Sequence, residues 1–224
     1  GAVALYCILF RYYAGNTKQV ARKTLITKTM MNQQINIDEY KNHLKKYFLN
    51  VVPETNPDAL NELLEHFTFE RFAKKQLIYA AGSISDSLYF VCKGLIRVYY
   101  IKEDKEITNL LVPENTIVIG AYSIITGEKN YSNYEAFEET YLLKLNYAVL
   151  ESFYSKYHSL EHLGRLLVEK YYTAFMKKTY DVLFLSAEER YQIFIKDHSE
   201  LINRVPLRFI ASYLGITQET LSRL

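Results

Sequence analysis

Two parts of the chain carry hydrophobic residues every three or four positions, and the part between them alternates hydrophobic and polar residues. In residues 35–66 the helical spacing is carried by Ile37, Tyr40, Leu44, Tyr47 and Phe48. Pro53 and Pro57 interrupt this spacing. Asn56 before Pro57 has the pattern of an N-cap followed by proline at the first helical position. We therefore expect N-terminal helices, broken near the two prolines.

The middle of the chain has the pattern of short strands. Six stretches rich in β-branched and aromatic residues are QLIYAAG, SLYFVCKG, LIRVYYI, EITNLLV, TIVIG and ETYLLKLN. In LIRVYYI, Ile96 and Val98 alternate with Arg97 and Tyr99, which is typical of a half-buried strand. KEDKE between two strands predicts a charged hairpin turn. Together these patterns predict an antiparallel sandwich or jelly roll of roughly eighty residues.

From residue 146 the helical spacing returns. One apolar stripe is formed by Leu160, Leu163, Leu167, Tyr171 and Ala174. A helix of this length has little neighbouring sequence to cover it, so we expect a partner chain. Ser186 with Glu189 three residues later is a capping box that starts a new helix.

The closing segment, residues 207–224, meets the steric rules of a helix-turn-helix. Ala211 supplies the small residue where the two helices cross closely, and Gly215 supplies the residue that tolerates positive φ in the turn. The positions that must be apolar hold Ile210, Leu214, Ile216, Leu221 and Leu224. A simple αα-hairpin has no need for all these constraints at once. Because the motif's second helix normally extends past Leu224, we expect a short tail to complete it.

The outward side chains of the second helix are suited to reading DNA. Arg223 can form two hydrogen bonds with the edge of guanine, and Gln218 can hydrogen-bond to adenine. Glu219 can accept a hydrogen bond from the amino group of cytosine. Ser222 adds a hydroxyl, and Thr217 is an N-cap whose neighbouring amides can meet a phosphate. These five residues are the predicted DNA contacts.

Composition narrows the class of protein. Hydrophobic residues make up 49% of the chain, with 8 Gly and 4 Pro, which is typical of a folded globular protein. The two cysteines, Cys7 and Cys92, form no CxxC pair, which argues against a disulfide framework and fits a reducing cytoplasm. Residues 1–31 hold five basic residues and no acid, so the remaining 193 residues carry 22 basic against 25 acidic residues. DNA binding must therefore come from a local patch.

The N-terminal piece, residues 1–31, needs its own interpretation. Its apolar run, residues 2–10, is too short to span a bilayer and lacks the pattern of a signal peptide. We interpret residues 1–31 as a non-native or mis-started extension that precedes a domain beginning near Met31. An ordered arm and a membrane-surface anchor are the alternatives.

The whole arrangement resembles the Crp/Fnr superfamily of bacterial transcription regulators, in the style of its Bacteroidetes-type members. The resemblance covers about residues 36–224 and is carried by LYFVCKGLIRVYY, EITNLLV, SLEHLGRLLVEKYY, LSAEERYQIFI and VPLRFIASYLGITQETLSRL. It implies an α+β fold. N-terminal helices and an antiparallel β jelly roll of the cyclic-nucleotide-binding type would form residues 32–148. A long dimerisation helix with a hinge would form residues 149–184, and an all-α helix-turn-helix domain residues 185–224.

The resemblance also implies a function. Members are cytoplasmic homodimers that bind double-stranded DNA at operators with two-fold symmetry, so we expect a regulator and not an enzyme, with no cofactor. In the family, the residues matching Gln218, Glu219 and Arg223 lie in the major groove. RNA polymerase is a candidate partner and no membrane is expected. The family's β-wing normally precedes the helix-turn-helix, where HSELINRV leaves little room for it.

The effector pocket departs from the cyclic-AMP-binding members, which hold the phosphate with an Arg and the ribose with a Glu. Gly120 matches the pocket glycine, but Ala121 and Tyr122 follow it, and the arginine position falls near Asn130 and Tyr131. Lys129 is the only basic residue between residues 113 and 136. A buried phosphodiester without a cation is costly. We therefore predict that the pocket takes an effector other than cyclic AMP or cyclic GMP, or is closed by its own side chains. The cysteine cluster of the iron–sulfur members is absent too.

Two other functions remain open. HSLEH, with His158, Glu161 and His162, matches a zinc-hydrolase pattern, although no third ligand is evident. A ligand-sensing dimer without DNA binding is the other alternative. For a regulator, we expect a two-state dimer in which a hinge at residues 183–186 re-aims the recognition helices.

Overall fold

A computed structural model describes residues 35–224 of the chain and begins with two helices. Helix α1 spans Ile37–Val51 and helix α2 spans Pro57–Glu65, as the interrupted spacing predicts. The Asn56 side chain accepts hydrogen bonds from the backbone N–H groups of Asp58 and Ala59, at 2.9 and 3.0 Å. The predicted N-cap is therefore confirmed. The interpretation of residues 1–31 lies outside the described residues.

Eight antiparallel strands follow. They are β1 Thr68–Phe72, β2 Leu77–Tyr79, β3 Ser87–Lys93, β4 Ile96–Lys102, β5 Lys105–Val112, β6 Ile117–Ile119, β7 Asn133–Ala136 and β8 Thr140–Asn146. They form two four-stranded sheets, in the orders β1-β8-β3-β6 and β2-β7-β4-β5. A core lies between the sheets and contains Tyr89, Val91, Ile96, Val98, Val112, Val118, Tyr134 and Leu142. The predicted jelly roll is confirmed.

The sequence patterns missed β1 and β7. The β1 stretch, TFERF, mixes aromatic and charged residues, and β7 has four residues, too few for a period to show. Both are held by antiparallel pairing with distant strands, β1 with β8 and β7 with β2 and β4. The charged hairpin between β4 and β5 is confirmed. Glu103 and Asp104 have φ of 50° and 60° there, as a tight hairpin turn requires.

Helices occupy the remainder of the described chain. Helix α3, Ala121–Thr126, lies between β6 and β7, and the helices after β8 are α4 Tyr147–Lys156, α5 His158–Phe184, α6 Ala187–Asp197, α7 Ser199–Ile202, α8 Leu207–Leu214 and α9 Gln218–Leu221. The helical stretch that starts near residue 146 is thus two helices, because Tyr157 has extended backbone. Ser186 and Glu189 form both hydrogen bonds of the predicted capping box, at 3.2 and 2.8 Å.

Two further features concern the helical part. Residues 198–205 form α7 and a turn, and within residues 185–224 no strand takes the place of a wing. In the described part of the chain, no helix is both long and apolar enough to cross a membrane.

Strand β4 is buried on both faces, which its alternating pattern did not predict. Ile96 and Val98 point into the jelly-roll core, and the alternate side chains of Arg97 and Tyr99 are only 2% and 7% exposed. Helix α8 packs against the neighbouring strand β5 and covers this outer face. The face that looked polar in the sequence is therefore an internal junction with the C-terminal helices.

Candidate DNA-binding surface and sensor pocket

Helices α8 and α9 form a tight helix-turn-helix. Helix α8 ends at Gly215, whose φ of 69° lies in the left-handed region that glycine favours. The turn is closed by hydrogen bonds from the Gly215 N–H to the Ser212 carbonyl and from the Ile216 N–H to the Ala211 carbonyl, at 3.2 and 3.0 Å. Thr217 caps α9, because its hydroxyl accepts a hydrogen bond from the Thr220 N–H at 3.1 Å.

The steric positions behave as predicted, with one exception. Ile210, Ala211, Leu214 and Leu221 are at most 5% exposed, and Ile216 packs on the same cluster. Leu224, expected to be apolar core, is 47% exposed. The reason is that α9 ends at Leu221, so Leu224 is not carried back toward α8 by another helical turn.

All five predicted DNA contacts are brought together on one exposed surface. This surface, called the reading face below, consists of Thr217, Gln218, Glu219, Ser222 and Arg223. The pKa of Glu219 is held below its usual value, first by its own backbone N–H and then by the Thr217 hydroxyl. Glu219 is therefore an ionised acceptor at neutral pH, suited to an amino group and repelled by phosphate.

The charge around the reading face is balanced. Residues 185–224 contain five Arg or Lys and five Asp or Glu. Arg190 donates to the carbonyls of Val182 and Leu185, and Arg204 to the carboxylates of Glu114 and Glu138, so both are used inside the molecule. The exposed cations left for phosphates in this segment are Lys196, Arg208 and Arg223.

The predicted effector residues separate into two groups. Gly120 and Asn130 lie together in a buried polar cluster with Ser85, a residue that the sequence reasoning missed. A Cβ on Gly120 would stand 2.5 Å from the Ser85 side chain and 2.8 Å from Asn130 Nδ2. The Ser85 hydroxyl and Asn130 Nδ2 are buried, and within residues 35–224 neither has a hydrogen-bond partner. Ser85 lies 35 residues before Gly120 in the sequence and carries no pattern of its own, so only the folded chain shows that it belongs to this cluster.

The other predicted pocket residues lie at the surface. Ala121 is exposed, and Tyr122 and Tyr131 are 41% and 71% exposed. The two tyrosine rings contact each other with centroids 5.0 Å apart. The Tyr122 hydroxyl donates to the Glu128 carboxylate, which raises the pKa of Tyr122. Lys129 is exposed as well.

Helix α5 carries an apolar stripe that the described chain leaves uncovered. Val168, Tyr172, Phe175 and Leu183 are 62–68% exposed and recur at helical spacing. Val168, Tyr172 and Phe175 border a groove of about 1010 Å³ between α5 and the jelly roll, with few polar groups in its lining. Tyr171 anchors the helix, since its hydroxyl accepts the Ile117 N–H at 3.0 Å and lies 2.9 Å from the Tyr47 hydroxyl.

The zinc-hydrolase pattern at the start of α5 is not arranged as a metal site. His158 is on the surface, 3.4 Å from Glu161, and His162 Nδ1 lies 3.0 Å from the guanidinium of Arg165. Within residues 35–224, no three His, Cys, Asp or Glu side chains are grouped so as to hold a metal ion.

The sequence is similar to one protein family and to several known regulatory proteins. The family described as "Cyclic nucleotide-binding domain" matches residues 69–157. The Fumarate and nitrate reduction regulatory protein of Vibrio cholerae is 27% identical over 189 residues, which are 76% of this chain and 72% of that protein. The Anaerobic regulatory protein of Haemophilus influenzae is 25% identical over the same length, covering 70% of that protein.

A solved structure shows the same fold. A putative transcriptional regulator of the Crp/Fnr family from Eubacterium rectale superposes with a TM-score of 0.60 at 15% identity. The match covers 79% of this chain and 84% of that one.

Proposed function

We propose that the chain is a transcription regulator of the Crp/Fnr superfamily, which reads an operator through α9 while its jelly roll senses an effector other than cyclic AMP. The observation that carries this proposal is the reading face, where five hydrogen-bonding side chains are exposed on α9 and on the residues directly flanking it, while Leu221 of the same helix is packed in a core. The relatives are regulators, in agreement with the expectation that the chain is not an enzyme.

The working form is a homodimer joined along α5. Family relatives support dimer formation in general. The uncovered stripe of Val168, Tyr172, Phe175 and Leu183 supports α5 as the contact, because a contiguous exposed apolar face of this kind is typical of protein–protein interfaces. Two reading faces related by two-fold symmetry would then meet half-sites about one helical turn apart on double-stranded DNA. In this scheme residues 32–148 are the sensor, 149–184 the dimerisation helix and hinge, and 185–224 the DNA-binding domain.

The sensor pocket is not built for a cyclic nucleotide. The cluster of Ser85, Gly120 and Asn130 is tightly packed and none of these three residues is charged, so a phosphodiester placed among them would be buried without a charge partner from the cluster. We expect calorimetry with cyclic AMP, cyclic GMP and cyclic di-GMP to show no binding at about micromolar affinity. Cyclic di-GMP is included because a global regulator of Xanthomonas campestris with the same fold, TM-score 0.59 at 16% identity, is described as responsive to it. Micromolar binding of any of the three would overturn this part of the proposal.

The location of the protein and its contact with RNA polymerase follow from its proposed role as a transcription regulator. A regulator that reads chromosomal DNA works in the cytoplasm, and contact with RNA polymerase is the route by which it would activate transcription. Neither assignment bears on the reading face, which can be tested with purified protein and DNA alone.

The test is selection of DNA from a random library by the full chain at stated salt, followed by binding of the enriched duplex. We expect a two-fold symmetric sequence to be enriched. Arg223→Ala should cost about 1–3 kcal/mol at one base pair and relax the preference there. Arg71→Ala is the matched control, since it removes a charge on β1 that pairs with Glu139 of the jelly roll. If no sequence is enriched, the chain is a sensing dimer without operator recognition. If Arg223→Ala weakens all sequences equally, Arg223 contacts a phosphate.

A further inference from the structure

Arg97 is a buried cation that the jelly roll does not need for its own core. Its side chain is 2% exposed and points away from the core residues Ile96 and Val98. Burial of a charge is costly unless it is paired, so the position has to be explained by its contacts. Those contacts link two sensor strands to α8, the first helix of the helix-turn-helix.

The guanidinium group of Arg97 is held by two hydrogen bonds and by contact with two aromatic rings. Its Nε donates to the Thr108 hydroxyl at 3.0 Å and its Nη1 to the Glu106 carboxylate at 2.7 Å, both on β5. Its carbon lies 4.3 Å from the ring centroid of Tyr99 and 4.2 Å from that of Phe209. Phe209 belongs to α8, so the cation stacks on a ring of the DNA-binding domain.

A β-bulge in strand β5 adds two backbone contacts beside Arg97. Val98 pairs with Leu110 and Tyr99 pairs with Thr108, so Asn109 is the extra residue. The Thr108 N–H donates to the Ser212 hydroxyl of α8 at 2.9 Å. The Asn109 carbonyl accepts a hydrogen bond from Lys178 on α5. The bulge therefore touches both the dimerisation helix and the helix-turn-helix.

Strand β7 completes the surroundings of Arg97. Glu135 stands opposite Arg97 in the antiparallel register. Burial raises the pKa of Glu135, and the nearby Arg97 acts in the opposite direction. Arg97 Nη2 is buried and has no hydrogen-bond partner within residues 35–224. The guanidinium thus has an unused donor between β5, β7 and α8.

We infer that Arg97 is a positioning residue for DNA binding, which fixes the angle of the reading face by clamping α8 onto β4 and β5. Helices α8 and α9 share one core through Ile210, Leu214 and Leu221, so the orientation of α8 sets that of α9. A displacement of the β4–β5 hairpin, which carries Glu106, would reach α8 through Arg97. This coupling is additional to the hinge at residues 183–186 and rests on the proposed function only where DNA is concerned.

The first test needs no DNA. Amide hydrogen exchange of the full chain is compared for the parent, Arg97→Met and the matched control Arg71→Met, whose ion pair with Glu139 lies on the surface of the jelly roll. Loss of the charged hydrogen bonds in Arg97→Met should accelerate exchange in residues 207–214 by at least about tenfold. Strands β3 and β8 should stay within about twofold of the parent, and Arg71→Met should change neither region. Unchanged exchange in α8, or equal acceleration in α8 and the strands, overturns the clamp.

Two further variants separate a clamp from a general core residue. Arg97→Lys keeps the charge, but an ammonium group cannot stack flat on two rings and donate to both acceptors at once. The amide hydrogens of α8 should therefore exchange as fast as in Arg97→Met. Parental exchange in Arg97→Lys would show that charge alone matters and would overturn the assignment. If Arg97→Met does not fold, Glu106→Gln serves instead, because Glu106 is 48% exposed on its side chain. It should accelerate α8 by about threefold without affecting β3, and no change would count against the clamp.

The second test uses DNA affinity to detect a change in the orientation of the reading faces. Binding is measured to the selected operator and to a duplex carrying one half-site. In Arg97→Lys, operator affinity should fall by about tenfold and half-site affinity by less than about twofold, because only the operator requires two reading faces at a fixed spacing. Equal losses on both duplexes would overturn the positioning role. If the parent selects no operator, the proposed function fails while the exchange result still stands on its own.

Discussion

Arg204 offers a quantitative test of how the C-terminal helices are attached to the jelly roll. Its guanidinium donates two parallel hydrogen bonds to Glu114, both at 3.0 Å, and a third to Glu138 at 2.5 Å. Glu114 also accepts the Gly94 N–H at 2.8 Å, which ties it to the loop before β4. The side chains of Arg204, Glu114 and Glu138 are 26%, 31% and 36% exposed, so the network is only partly open to solvent.

We expect Arg204→Met to lower the free energy of unfolding by about 2–3 kcal/mol at pH 7. A hydrogen bond to a charged group contributes about 1.5–3 kcal/mol when buried, and partial exposure reduces the sum of three. The variant leaves two carboxylates close together without a cation. The matched control is Arg71→Met, whose more exposed pair with Glu139 should be worth less than about 1 kcal/mol.

The effect of Arg204 should also depend on pH. Burial opposes ionisation of Glu114, but the hydrogen bonds from Arg204 and from backbone N–H groups outweigh it, so the pKa of Glu114 lies below its usual value. A depressed carboxyl pKa stabilises the fold above the unfolded pKa, and this stability is lost as the pH falls through the folded pKa. The difference between parent and Arg204→Met should therefore shrink below about pH 4.

The assay is urea unfolding followed by far-ultraviolet circular dichroism, at pH 7 and at several acidic values. Urea is chosen because guanidinium salt would screen the ion pairs. Equal losses of stability in Arg204→Met and Arg71→Met at pH 7 would show that the Arg204 network contributes no more than a surface ion pair. An unchanged loss of stability in Arg204→Met at the lowest pH where the parent still folds would show that ionised carboxylates are not its cause.

Three further predictions concern the dimer, the pocket and the turn. Phe175→Asp places a charge on the uncovered stripe of α5 and should convert a dimer into a monomer, measured by sedimentation equilibrium. Gly120→Ala should destabilise the fold by about 1–3 kcal/mol in urea unfolding, because its methyl group would meet Ser85 at 2.5 Å. Gly215→Ala should cost about 1 kcal/mol from the positive φ alone, since no atom lies within 4 Å of the new methyl group.

Each of these three predictions would be contradicted by a specific result. A dimer that survives Phe175→Asp would place the interface away from α5. A neutral Gly120→Ala would mean that the pocket has free room after all. Gly127→Ala is the control for the turn, because Gly127 also has positive φ and open space around it, so a much larger loss at Gly215 would point to steric contact.

Local features of this chain were predictable from its sequence because they depend on neighbours within a few positions. The N-cap at Asn56 and the capping box at Ser186 formed as the residue types indicated. Gly215 lies in the left-handed turn, and the reading face is exposed. The lack of an arginine near Asn130 was visible in the same way. The end of α9 was not, since Leu224 lies beyond the last helical residue and is exposed.

Contacts between distant segments were decided only by the tertiary structure. Alternation along β4 identified Ile96 and Val98 as core, but it could not show that α8 covers Arg97 and Tyr99 on the other face. A periodic pattern reports which side of an element is apolar, and a buried arginine is acceptable only when partners from other elements satisfy it. Those partners, Glu106, Thr108 and Phe209, are placed by a hairpin, a bulge and a helix that pack together only in the folded chain.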